Sequence, residues 1–148
     1  MPSAPDTTPI AADSYDLDAQ VGFLLRQAYQ RHATIFSNLF GDEFTPTQWA
    51  ATAKLREVGE CSQNHLGRLT AMDVATIKGV VQRLEKRGYV GLRPDLVDRR
   101  RLVVGLTDEG HAAYERCAAI ALQVTRETLS PLRSEERDTI ARLLMALR

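Results

Sequence analysis

The sequence predicts a mainly helical fold carrying one small β-hairpin, and three observations predict it. Apolar residues recur at three- and four-residue steps through most of the chain, the spacing of a helix with one buried face. That rhythm changes to period two in Tyr89 to Arg93 and Arg101 to Leu106, which flank the turn-forming run Pro94, Asp95, Leu96, Val97, Asp98. Capping residues and glycines fall where the rhythm starts and stops.

Taken in order, residues 1–14 hold half of the six prolines, with acids and small residues and almost nothing to bury. A mobile tail is expected there. The remaining residues, 15–148, read as a single domain. A long helix is expected from Asp16, with Leu17, Val21, Leu24, Leu25, Ala28, His32, Ile35, Phe36 and Leu39 on one stripe and Gly41 as its stop. Thr45, Pro46, Thr47 and Gln48 form a capping box with proline at the first helical position, and the helix they open runs to about Val58. Gly59 breaks it. Ser62 then caps a short helix whose Leu66 and Leu69 face inward, and Asp73 caps the next. That helix carries Val74, Ile77, Val80, Val81 and Leu84 and ends at Lys86, Arg87 and Gly88. After the hairpin, Thr107 supplies a cap, and Asp108 and Glu109 suit the positive end of a helix macrodipole. This helix runs to about Leu129. Ser130 and Pro131 end it, and Ser134 opens a last helix striped by Ile140, Leu143, Leu144 and Leu147.

Formal net charge is zero, which by itself argues against a nucleic-acid partner. The average hides a segregation. From Lys78 to Arg101 there are eight Lys and Arg against three acids, a local +5, so the remainder of the chain carries −5. Arg99, Arg100 and Arg101 sit together where the hairpin turns back. Two helices joined by a tight turn, the second followed by a basic hairpin, make a winged helix-turn-helix, a reader of double-stranded DNA. Its lobe would span about 45–107. The first and last helical regions, about 16–40 and 108–148, carry more apolar residues than one chain of this size needs. Their spare faces are expected to meet a second copy.

Other functions find little support. The two cysteines, Cys61 and Cys117, match neither a redox pair nor zinc-ligand spacing, the three histidines share no metal spacing, and no catalytic or cofactor-binding signature occurs. No cofactor, no metal and no enzymatic activity are expected. Neither a secretory leader nor a run near the ~20 apolar residues of a membrane span is present. A reduced, cytoplasmic chain is the simplest inference.

On the second helix of the motif, Ala75, Lys78, Gln82 and Lys86 lie opposite the apolar stripe, with Thr76, Gly79 and Arg83 on its flanks. Lys78 and Gln82 can reach base edges in the major groove, Ala75 can touch a thymine methyl, and Gly79 permits close approach to the duplex. Ser62, Asn64 and Arg68, near the preceding helix, suit phosphates. For Lys86 and Arg87 a second role stands open, since both also complement a helix C-terminus.

The element order, together with RLEKRGYVGLRPDLVDRRRLVVGLTDEG, resembles the MarR family of dimeric bacterial transcription regulators. The family's wing pattern, D-x-R followed by a strand and L-T-x-x-G, corresponds here to Asp98, Arg99, Arg100 and to Leu106, Thr107, Asp108, Glu109, Gly110. The similarity covers roughly Leu17 to Leu147. Within it, QRHATIF and CSQNHLGRLTAMDVATIKGVVQRLEKRG are similar to the subgroup that controls breakdown of nicotinate and related aromatic acids. The resemblance implies a homodimer on a pseudo-palindromic operator, with Asp98 pairing Arg100 to shape the wing and Arg99 probing the minor groove. It also implies release by a small aromatic acid lodged between the dimerisation helices and the reader. Tyr29, His32, Phe36 and Trp49 are the candidates for that pocket, with Arg31 or His65 as charge partners, although a tryptophan in such a place is more often a core residue than a ligand plate. Two alternatives stand beside this reading. Some relatives sense oxidants through a thiol, and Cys61, beside a helix start, could have a depressed pKa. The wing could also meet protein rather than DNA.

Overall fold

In the computed structural model, which describes residues 3–6, 8–9 and 11–148, the helical rhythm becomes six α-helices and a three-stranded antiparallel sheet among the described residues. The helices are α1 (Val21–Phe40), α2 (Pro46–Val58), α3 (Gln63–Leu69), α4 (Val74–Lys86), α5 (Asp108–Thr128) and α6 (Ser134–Ala146). The strands are β1 (Cys61–Ser62), β2 (Val90–Pro94) and β3 (Leu102–Leu106). Of the tail expected over 1–14, residues 1, 2, 7 and 10 lie outside the described residues, and a 3-10 turn occupies Ala12–Ser14.

Helix α1 starts later than its apolar pattern suggests. Asp16 caps a separate 3-10 turn, Leu17–Ala19, by accepting the Asp18 N–H at 3.1 Å. Gln20 is then extended, and its side-chain amide donates back to the Asp16 carbonyl at 2.7 Å, which interrupts the helical ladder before Val21. At the far end Gly41 takes a φ of 58°, a left-handed conformation that glycine adopts without a Cβ penalty. Thr45 and Gln48 form the reciprocal capping box on α2, with Pro46 inside it.

The recognition motif follows its caps. Ser62 Oγ accepts the His65 N–H at 3.1 Å, and Asp73 Oδ1 accepts the Thr76 N–H at 2.7 Å. Gly67 lets α3 lie against α4, because a Cβ there would sit 3.1 Å from Ile77 Cγ2. Ile77, Val80, Val81 and Leu84 are buried as their spacing requires. Val74 is not: at the first position of α4 it points away from that stripe and is 68% exposed.

Gly88, with a φ of 78°, turns α4 into β2. Strands β2 and β3 pair from Val90 opposite Leu106 to Pro94 opposite Leu102, the expected hairpin. The short β1 is an addition to it, pairing Cys61 with Val104 and Ser62 with Val103 on the free edge of β3. Two residues carry no period, so no sequence pattern marks this strand. The sheet order β1, β3, β2 buries Val103 and Val104 in its middle.

One core runs through these elements, joining Phe36, Phe40 and Phe44 to Leu55, Leu66, the α4 stripe, Val90, Val104, Ala113, Cys117 and Val124. Helix α6 takes no part in it: none of its residues is buried, and Leu143, Leu144, Met145 and Leu147 are exposed in the single chain. Val21, Leu24, Leu25 and Leu122 are exposed likewise.

Candidate nucleic-acid interface and adjoining cleft

Ala75, Thr76, Lys78, Gln82, Arg83 and Lys86 all lie on the open face of α4, and Gly79 sits half-buried among them. The face therefore combines cations, an amide and two small residues on a rigid helix. That is the composition a major-groove reader needs, since Lys and Gln match acceptor and mixed edges while small residues admit the backbone. Asn64 and Arg68 are exposed on α3, with Arg68 Nη2 3.5 Å from His65 Nδ1. Ser62 Oγ accepts the His65 N–H in the α3 cap, which leaves its O–H free to donate outward beside the exposed Asn64.

Asp98 is the organiser of the wing tip. Its Oδ1 accepts the Arg100 backbone N–H at 3.1 Å and lies 3.4 Å from Arg100 Nε, while its Oδ2 lies 3.9 Å from Arg101 Nε. The turn is closed further by Arg101 N–H donating to the Asp98 carbonyl and Asp95 N–H donating to the Arg101 carbonyl, at 2.9 and 3.0 Å. Asp95 is held below the usual carboxylate range, first by the Val97 N–H it accepts. Arg99 makes no ion pair among the described residues and projects from the tip. At the base, Ser62, Gln63 and Asn64 face Arg100, Arg101 and Leu102 across a small hollow of about 150 Å³. The tip and the start of α3 thus form one polar, cationic edge.

Behind this surface lies a cleft of about 440 Å³ between α1, α2 and α5. Three of the six pocket candidates line it: His32, Phe36 and Trp49. The other three do not. Tyr29 lies one turn before His32 on the exposed end of α1, with ring centroids 6.0 Å apart. Arg31 reaches the other way, donating to the Glu127 carbonyl at 2.9 Å near the end of α5. His65 belongs to α3 and neighbours Arg68, outside the cleft lining. Its distance from His32 in the fold is what a one-dimensional reading could not supply.

Helix α5 provides the rest of the lining. Tyr114, Ala118, Ala121, Leu122 and Thr125 face Trp49 and Ala53 of α2. Tyr114 stacks on Trp49 with centroids 5.4 Å apart and planes within 3°. The walls are therefore flat, aromatic and spaced by alanines, with the His32 ring and the Thr125 hydroxyl as polar groups. His32 Nδ1 also lies 3.0 Å from Thr128 Oγ1. Such a cleft suits a planar aromatic guest with a polar edge. The spacing of Tyr114, Ala118, Ala121 and Thr125 along one helix face is a signal present in the sequence that the first-helix candidates overshadowed.

Neither thiol has the environment of a sensor. Burial raises the pKa of Cys61, which is half-buried in β1, and burial first raises that of Cys117, which is packed in the core. The lowering that its place beside a helix start could bring is not what the surroundings of Cys61 favour: pairing of β1 with β3 half-buries it, and burial pushes its thiol up. Among the described residues no cluster of three metal-ligating side chains occurs, and no helix is long and apolar enough to cross a membrane.

A family model described as the MarR family matches residues 44–102, from the end of the α1 loop to the start of β3. The HTH-type transcriptional repressor NicR of Pseudomonas putida is 40% identical over 143 residues, covering 96% of this chain and 90% of the relative. A probable transcriptional regulator from Pseudomonas aeruginosa of known structure is 52% identical with a TM-score of 0.87, over 90% of this chain and 100% of that one. Bordetella bronchiseptica BpsR, solved to explain regulation of its DNA binding by 6-hydroxynicotinic acid, is 38% identical with a TM-score of 0.87, over 90% and 96% of the two chains. With this identity and this likeness of fold over nearly its whole length, the chain belongs to the MarR family of winged helix-turn-helix transcriptional regulators.

Proposed function

We propose that this protein is a cytoplasmic, homodimeric transcriptional repressor that holds a pseudo-palindromic operator and is released by a small aromatic acid, with no catalytic step of its own. One observation carries the reading: an aromatic cleft is built on α1, α2 and α5, and α2 packs in turn against the cationic recognition helix α4. The similarity to the repressor NicR supports repression, and the similarity to BpsR supports a hydroxylated nicotinate or a like acid as the effector. The α4 face would enter the major groove. Ser62, Asn64 and Arg68 would meet phosphates, and Arg99, on a wing shaped by Asp98 and Arg100, would reach the adjoining minor groove, where narrow A·T tracts concentrate negative potential.

Residues about 45–107 would form the reading lobe, with about 16–40 and 108–148 making the dimer through the exposed apolar faces of α1 and α6. Two lobes then address half-sites about one turn, ~34 Å, apart. An effector wedged between α2 and α5 changes that separation, and a near-complete switch needs about 5.5 kcal/mol of preference for the conformer with the wrong spacing.

Selection from random duplexes, with a thermal-shift screen of aromatic acids in parallel, tests the proposal. Enrichment of half-sites about one turn apart and a rise in melting temperature with a hydroxylated nicotinate are expected. No enrichment at low salt would favour a wing that meets protein instead.

A further inference from the structure

Outside the wing and the cleft, the polar cluster that recruits the most elements surrounds Glu43, in the loop between α1 and α2. Its Oε1 accepts the Tyr89 hydroxyl at 2.8 Å and Arg116 Nη2 at 2.8 Å, and it lies 3.8 Å from Arg87 Nη2. Arg87 also donates to the Glu43 backbone carbonyl, and its guanidinium lies over the rings of Tyr89 and Phe44, 4.6 and 5.5 Å from their centroids. The partners come from four places. Glu43 follows α1, Arg87 ends α4, Tyr89 leads into β2 and Arg116 stands on α5.

The same spot is pinned by the backbone. Thr107 Oγ1 donates to the Gly88 carbonyl at 2.5 Å and Thr107 N–H to the Tyr89 carbonyl at 3.1 Å, so the first turn of α5 is fastened to the start of the wing. Gly110 is required there, because a Cβ would run into the Tyr89 carbonyl. Consistent with these bonds, the Tyr89 hydroxyl and then Arg116 hold the Glu43 carboxyl below its ordinary range.

An aromatic chain leads from the cleft to this point. Trp49, which lines the cleft, packs edge-on to Phe44 at 5.5 Å, and Phe44 packs on Tyr89 at 5.6 Å. A guest that moves Trp49 therefore presses on the ring whose hydroxyl Glu43 holds. Glu43 has no place in the cleft lining or on the α4 face.

We propose that Glu43 is a positioning residue for DNA binding: through Tyr89, Arg87 and Arg116 it fixes the angle between the α1 and α5 pair and the unit made of α4 and the wing, and through Phe44 and Trp49 that angle is coupled to the cleft. The inference rests on the effector-released dimer proposed above. Losing the Glu43 charge or the Tyr89 hydroxyl lets the reading unit swing without changing what lines the cleft. A guest's displacement of Trp49 is then passed less completely to the reading unit, so its preference for the conformer with the wrong spacing, and with it the release, shrinks.

The test compares wild type, Glu43→Gln and Tyr89→Phe, the last removing one oxygen while its ring still packs on Phe44. For each, operator affinity is measured with and without saturating 6-hydroxynicotinic acid, alongside acid affinity for the free dimer, dimer mass and melting. Distances between spin labels at Leu96→Cys of the two wings, in a Cys61→Ser, Cys117→Ser background, are read in parallel. The ratio of operator affinities should fall about three- to tenfold in both variants, with acid affinity within twofold of wild type and a broadened wing distance. Operator affinity lowered equally with and without the acid, or lowered together with dimerisation, would mark a purely structural cluster and overturn the inference, as would wild-type ratios and distances. If wild type itself binds no operator, the function proposed above fails, and the label distances alone decide the role of Glu43.

Discussion

Arg99 and Arg100 are neighbours with opposite surroundings, and the difference separates a reading group from a shaping one. Arg100 and Arg101 share Asp98, whereas Arg99 is exposed and makes no ion pair among the described residues. Arg99→Ala should therefore weaken operator binding by about 1–3 kcal/mol, leave dimer mass unchanged and shift stability by less than about 0.5 kcal/mol; titration of a labelled duplex beside a melting curve checks both. Ala71, in the turn between α3 and α4, takes a φ of 55°. A left-handed alanine costs roughly 1–2 kcal/mol against glycine's extra backbone entropy of roughly 0.5–1. Ala71→Gly should thus raise stability by about 0.5–1 kcal/mol in denaturant unfolding. The thiols give a pH prediction. Burial raises both, so their contribution to stability is full below the ordinary thiol pKa of about 8.5 and is lost as pH rises through the higher folded value. Near pH 7.5 both should label slowly with a maleimide in the native protein and fast in urea; fast native labelling of Cys61 would revive a redox role. At this scale the Asp98 and Arg100 pair was legible through the resemblance of the wing to the D-x-R pattern, a local motif whose members are two residues apart. Glu43 and Tyr89 were not, because 46 residues separate them, and Glu43 and Arg116 are 73 apart.

Among elements, those with their own start and stop signals could be read directly: the capping box of α2, the Ser62 and Asp73 caps, and Thr107 before α5. The apolar rhythm predicts α1 one turn too early, since Leu17 keeps that rhythm while Gln20 breaks the backbone. Strand β1 left no trace because its two residues are selected by β3, not by their own pattern. The cleft was half legible for a related reason. Its α1 wall lies on a face that the periodicity marks, while the small and polar residues of its α5 wall share a face whose use depends on how that helix packs on α2. Thr107 links two elements, capping α5 through the Gly110 N–H and holding Gly88. Thr107→Ala should cost about 1–2 kcal/mol, more than loss of a solvent-exposed cap alone; chemical denaturation measures it, and a cost under about 0.5 kcal/mol would mean the wing does not depend on this joint.

For the whole molecule, a neutral chain turned out to be divided between a cationic reading edge and an acidic remainder, with apolar faces left over on α1 and α6. Those three facts fit one assembly, two copies joined through the helical ends with both wings presented to one duplex. They also explain why the cleft lies where it does, between the helices that would set the spacing and the unit that would read. The central claim is that filling the cleft and holding operator exclude each other. Its most direct measurement is an anisotropy titration of 6-hydroxynicotinic acid into the preformed complex of this protein with its selected operator. The duplex should be released as the cleft saturates, by reciprocity with weaker acid binding to the operator-bound dimer than to the free one. Saturable binding of the acid to a complex that stays intact would contradict it.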